Sequence, residues 1–206
     1  MKAFKIVLLF LLIMNLSACT KEEEEPVDMK PVLYLYPEEE TEVTVKLDYD
    51  GEITVSYPVY EDGWKVTASP DGTLSMNNQT YNYLYWEGTS DTEYDFSEGF
   101  CVKKEDTIPF LEESLSQLGL NRREADEFIV FWLPILMQNE YNLICFQSDA
   151  YTSHSHLTID PKPDTLIRVF MACRPLNRPI EIEPQVLSSP PRNGFTAVEW
   201  GGTIIE

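Results

Sequence analysis

The apolar positions of the chain change their period twice. Ile6 to Met14 is an unbroken apolar run that follows Lys2 and Lys5. Thr20 to Met29 holds Lys21, the acidic run Glu22 to Glu25 and Pro26, with too little apolar content to pack, so residues 19–29 read as an acidic tether. From Pro31 the pattern becomes that of β-structure. Val32 to Tyr36 is apolar and stops at Pro37, whereas Val43, Val45, Leu47 and Tyr49 alternate with polar residues as in a strand with one wet face. Ile53, Val55 and Tyr57 continue the alternation, as do Trp64, Val66 and Ala68. Asp50-Gly51, Asp62-Gly63 and Asp71-Gly72 punctuate these runs, and Asp-Gly suits tight hairpin turns, so the stretch predicts an antiparallel meander. Tyr81 to Trp86 predicts a further strand closed by Glu87-Gly88, and the acidic residues 89–99 predict an exposed loop.

The period then becomes helical. Leu111, Leu115 and Leu118 share one face of a helix that Gly119 ends. Asn121-Arg122-Arg123-Glu124 has the spacing of a capping box and opens a second helix with the stripe Ala125, Phe128, Ile129 and Trp132. Pro134 is expected to kink or end it. β-structure returns at 141–146, 156–159 and 166–173. The last is apolar on both faces apart from Arg168, which predicts a central strand. Pro175 to Arg192 carries five prolines and reads as an extended arm, and Phe195 to Trp200 as a last strand ending at Gly201-Gly202. Strands, a helical pair, then strands predict one α+β domain over 30–206. It is an antiparallel β-sheet or sandwich with a helical hairpin inserted at about 107–138. A split near residue 100 into two modules fits less well, because no linker separates them.

Charge narrows the partners. Fifteen Lys and Arg stand against 35 Asp and Glu, a formal net charge of −20. Nucleic acid and anionic surfaces need a basic face, so neither is expected. Cys101, Cys145 and Cys173 allow at most one disulfide; buried thiols are favoured, with a 145–173 bridge as the alternative.

Leu16-Ser17-Ala18-Cys19, just after the apolar run, resembles the lipobox of bacterial lipoproteins. The run is too short to span a bilayer and reads as a signal segment, residues 1–18. The resemblance implies cleavage before Cys19, diacylglycerol on its thiol, and an extracytoplasmic domain held at the cell membrane, with the outer membrane as an alternative in a cell that has two. The blocks Lys30 to Pro37, Tyr83 to Gly88 and Gly194 to Gly202 are similar to those of a family of bacterial secreted and lipid-anchored proteins. That resemblance implies a shared fold and an envelope setting, and brings no catalytic residue with it.

Candidate chemistry is sparse. Trp86-Glu87-Gly88 and Glu199-Trp200-Gly201-Gly202 each close an expected strand. If the ends met, Glu87 and Glu199 could act as the acid pair of a glycan hydrolase, and Trp86 and Trp200 could stack on sugar. The plainer reading makes both Trp residues core anchors, the glycines turns and the glutamates solvated; a non-catalytic binding mouth is a separate alternative, with Arg168 as a further polar candidate or a structural ion pair. His154 and His156 could share a strand face, but no third ligand has metal spacing, so neither metal nor cofactor is expected. No nucleophile elbow, phosphate loop or dinucleotide fingerprint occurs. The expected function is therefore a lipid-anchored envelope domain that binds or scaffolds an unknown ligand or protein, with the hydrolase as the alternative.

Overall fold

A computed structural model describes residues 27–205. The signal segment, Cys19 and residues 20–26 of the tether lie outside the described residues. In chain order the strands are β1 (Val27–Tyr36), β2 (Thr41–Tyr49), β3 (Glu52–Tyr57), β4 (Trp64–Ala68), β5 (Leu74–Met76), β6 (Gln79–Tyr81), β7 (Leu84–Thr89) and β8 (Phe100–Lys103). Then follow the helices α1 (Thr107–Gln117) and α2 (Arg122–Leu136), strand β9 (Tyr141–Phe146) and helix α3 (Ser148–His154). Strands β10 (Ser155–Asp160), β11 (Thr165–Leu176) and β12 (Thr196–Ile204) complete the chain.

The fold is α+β, in three layers. A seven-stranded sheet in the order β3-β7-β1-β12-β11-β9-β8 lies between the α1–α2 hairpin and a five-stranded sheet, β10-β2-β4-β5-β6. The strands of the large sheet that read as apolar on both faces are interior. β1 sends Val32 and Tyr34 to the helices and Leu33 and Leu35 to the second sheet. β11 does the same with Ile167, Val169, Met171 and Cys173 on one side and Phe170 on the other. The three sequence blocks that suggested a family fall on β7, β1 and β12, which are neighbours in that order.

The sheet is mixed, since β11 and β12 are parallel. Neighbouring parallel strands need a long return connection, and the proline-rich arm supplies it. Extended proline-rich chain advances about 3.1 Å per residue, enough to run back along the length of β11. The arm also docks: Gln185 both accepts from the Phe146 amide and donates to its carbonyl, at 2.7 and 3.1 Å.

Several boundaries differ from the sequence reading. β1 starts at Val27, so Asp28 and Met29 belong to the sheet and not to the tether. Only Asp71-Gly72 turns a hairpin, between β4 and β5; Asp50-Gly51 and Asp62-Gly63 carry the chain from one sheet to the other. Periodicity cannot separate these cases, because both need a sharp reversal. The stretch 81–86 is the end of β6 and the start of β7, which lie in different sheets. Glu87-Gly88 and Gly201-Gly202 sit inside strands. At Gly88 a Cβ would come 2.6 Å from the Tyr49 ring, and at Gly202 2.6 Å from the Trp132 ring, so these glycines make room for aromatic side chains. Pro134 lies inside α2, which runs on to Leu136. It removes a hydrogen bond only from the carbonyl of Val130, a residue on the solvent face at 72% exposure, where water can replace it.

The capping box forms as read: Glu124 N donates to Asn121 Oδ1 at 3.0 Å, and Asn121 N to Glu124 Oε2 at 2.8 Å. Cys101, Cys145 and Cys173 are free thiols. Burial pushes Cys145 up to about 11 and Cys173 up to about 12, so both stay neutral and unreactive at neutral pH.

Candidate functional site

The face of the large sheet turned toward the second sheet carries two linked buried polar groups. The first is centred on Glu199 of β12 and Arg168 of β11, which are neighbours in the parallel register. Both point inward because they alternate with the helix-facing Val198, Trp200, Ile167 and Val169. Arg168 Nε donates to Glu199 Oε2 at 2.7 Å, and Nη2 lies 2.6 Å from the same oxygen. Arg168 also donates to the Ser155 carbonyl at 2.5 Å and to Ser155 Oγ at 3.0 Å, and its guanidinium lies 4.7 Å from the Tyr151 ring centre. Trp86 Nε1 donates to the other Glu199 oxygen at 3.3 Å. Burial alone disfavours the Arg168 charge; the Glu199 carboxylate and the Tyr151 side chain together outweigh it and hold the guanidinium pKa above its ordinary value. Arg168 thus takes the structural ion pair that buried charge requires.

The second group is centred on Asp28, which is fully buried. It accepts from Tyr49 Oη at 3.0 Å and Tyr94 Oη at 3.1 Å, and its Oδ2 lies 2.9 Å from His154 Nε2. The other imidazole nitrogen lies 3.0 Å from the Ala150 carbonyl, an acceptor only, so Nδ1 carries a proton. Burial, then the Asp28 charge, raises the pKa values of both tyrosines, which keeps them as donors. Aromatic contacts join the two groups: Tyr151 stacks on Phe170 at 4.2 Å, and Tyr49 meets Trp86 edge-on at 4.8 Å.

This geometry corrects the expected mouth. Val32 pairs with both Tyr85 and Trp200, so Trp200 faces the helices with Tyr85, whereas Trp86 faces the second sheet. Glu87 follows Tyr85 to the helix side, where its Oε1 accepts from Lys30 N at 3.2 Å, and Glu199 lies on the opposite face. The sheet separates the two carboxylates, and Glu199 is already held by Arg168 and Trp86. Glu87 and Glu199 do not form an acid pair across a cleft. The structure does bring Trp86, Arg168 and Glu199 together, but in a closed core. His154 and His156 do not share a face either: His154 ends α3 and is buried on Asp28, whereas His156 is exposed on β10. The short helix was missed because polar Ser148 to His154 lacks an apolar stripe. Asp28 was missed because a glutamate run precedes it. Its one visible signal is the alternation Val27-Asp28-Met29 running into Lys30-Pro31-Val32.

A shallow bowl of about 560 Å³ opens beside the second group, with His154 in its wall and Asp50, Glu52, Asp91 and Glu93 around it. A groove of about 490 Å³ runs along β8 between Phe100 and Phe110 on one side and Ile180 and Ile182 of the arm on the other. Among the described residues no cluster of three or more His, Cys, Asp or Glu is arranged to hold a metal ion, and no helix is long and apolar enough to cross a membrane.

No family model matches the chain, and no solved structure does. A protein of Butyrivibrio fibrisolvens named "Uncharacterized protein in bglA 3'region" is 39% identical over 92 residues, which cover 42% of this chain and 96% of that protein. By that match the chain belongs to the same family as the Butyrivibrio protein.

Proposed function

We propose that the chain is a lipid-anchored envelope protein whose domain acts by binding, held at the membrane through Cys19. The observation that carries this reading is the position of the lipobox: Cys19 stands eight residues before Val27, the first residue of β1. Eight extended residues reach at most about 29 Å, so the anchor would hold the domain close to the bilayer. Two acyl chains suffice for stable attachment. The charged side chains inside the domain support binding over catalysis, because Arg168 and Glu199 are buried against each other and Asp28 is held by Tyr49, Tyr94 and His154. The surface left to a partner is acidic and solvated. Labelled fatty acid should enter the wild-type chain and sediment with membranes, whereas Cys19→Ala should take up no label and should not be matured by cleavage before residue 19. A Cys19→Ala chain that was still matured and still stayed with the membranes would overturn the reading.

A further inference from the structure

The described sheets end in four edge strands, β3, β8, β10 and β6. A bare edge invites another strand, and proteins protect edges by shortness, covering segments or charge. β6 has only three residues. β8 is covered by the arm, since Gly99 N donates to the Glu183 carbonyl at 2.8 Å and Ile180 N to Cys101 Sγ at 3.4 Å. The exposed positions of β10 are the polar residues His156, Thr158 and Asp160. β3 differs from all three. It is six residues long, as is β10, but its exposed side chains are apolar: Val55 at 45% and Tyr57 at 61%, with Val59 just beyond at 70%. Acids flank this apolar stretch on both sides: Asp48, Asp50 and Glu52 before it, Glu61 and Asp62 after it, with no Lys or Arg between Leu47 and Trp64. The acidic bowl adjoins its first residue, Glu52.

We propose that the free edge of β3 takes up an extended segment of a partner protein by strand addition, and that this segment carries alternating apolar residues between basic ends. Main-chain hydrogen bonds supply the pairing, Val55 and Tyr57 the side-chain contacts, and the flanking acids the charge complementarity. A second copy of this chain fits poorly, because two such edges would bring like charges together. The proposal deepens the binding reading above, and its test does not depend on the anchor.

The probe is a labelled nonapeptide, Arg-Lys-Val-Thr-Val-Thr-Val-Lys-Arg, titrated into the purified full chain by fluorescence anisotropy. Saturable binding that weakens with salt is expected. Methylation of alternate peptide nitrogens should weaken it at least about tenfold, as should Val55→Lys or Tyr57→Lys. Glu52→Lys with Glu61→Lys should weaken it further at low salt than at high salt. Both edge positions are solvent-exposed, and circular dichroism checks that each variant remains folded. No saturable binding, equal affinity for the N-methylated peptide, or indifference to both lysine variants would overturn the proposal. A wild-type dimer that Val55→Lys converts to monomer would identify a second copy as the occupant and overturn it too. Failure of membrane attachment in the fatty-acid experiment would leave the peptide titration unaffected.

Discussion

On the helix side of β12, Trp200 meets Phe128 of α2 edge-on, and Val198 and Trp132 belong to the same cluster. On the other side of the same strand, Glu199 meets Arg168 and Trp86. One face is an apolar core of ordinary kind; the other encloses charges among aromatic rings. Removing a side chain from the first leaves a cavity. Removing one from the second leaves a charge without its partner. The comparison separates two ways of holding one sheet. Apolar packing is tolerant of volume-conserving change, whereas a buried ion pair is costly to break by halves.

Single truncations on the two faces should cost similar amounts for different reasons. Glu199→Ala strands the Arg168 guanidinium and should destabilise by about 3–5 kcal/mol. Trp132→Ala, at a fully buried indole, should cost about 3–5 kcal/mol through lost transfer energy and the cavity. Urea unfolding measures both. The double replacement Arg168→Met with Glu199→Leu breaks the symmetry, because it removes both charges. It should recover most of the loss and end near wild-type stability. If the double variant were as unstable as Glu199→Ala, the damage would lie in packing and the two faces would be alike.

The two faces also differ in how far they could be read. The α1–α2 hairpin, its stripe through Phe128 and Trp132, the capping box and the central place of β11 all follow from periods of 3.6 and 2 with local capping chemistry. The buried ion pair was legible only in half, as an Arg168 that needed some partner. Choosing among 35 acids requires strand order, and strand order is set by long-range pairing that no local pattern encodes. The same gap misplaced Trp86 and Trp200. Both end motifs looked alike in sequence, yet β7 and β12 flank β1 in registers that turn the two indoles to opposite faces. Asp28 was lost for a compositional reason: a glutamate run before it made a strand start look like solvated linker.

Asp28→Asn tests the second polar group at a smaller scale. The amide keeps an acceptor oxygen for one tyrosine but removes the charge that faces His154, Tyr49 and Tyr94. A loss of about 1–3 kcal/mol is expected, with the fold retained. Tyr49→Phe measured in both backgrounds should show non-additivity, since the hydroxyl and the carboxylate are one unit. Additive costs would mean that Asp28 acts alone.

Alkaline pH probes the apolar side through its thiol. Cys173 packs with the helix-side core, and burial raises its pKa to about 12 from an ordinary value near 9. Below pH 9 the thiol is protonated in folded and unfolded chains, and its full contribution to stability is present. As pH rises past 9 the unfolded chain ionises first, and stability falls until the folded thiol ionises near 12. At pH 10 the loss from this thiol is on the order of 1 kcal/mol. Cys173→Ala should flatten that part of the profile in denaturant titrations at pH 8 and pH 10. An unchanged slope would show that other groups carry the alkaline loss.

The smallest effect belongs to the start of α2, where the sequence pattern and the geometry agree. Asn121 accepts from the Glu124 amide, and Glu124 returns the bond to the Asn121 amide. Asn121→Ala removes one half and should cost about 1 kcal/mol, as for other N-caps. Glu124→Ala should cost more, although it removes the other half of the same box. Glu124 is fully buried and also pairs with Arg192 of the arm, so its loss frees the arm from the helix as well as the cap. Thermal unfolding of both variants and of Arg192→Ala sharpens the contrast between local and long-range ties. Arg192→Ala should reproduce the excess cost of Glu124→Ala over Asn121→Ala. Equal costs for the two cap variants would make the arm contact energetically idle and reduce this corner of the molecule to what its local sequence already states.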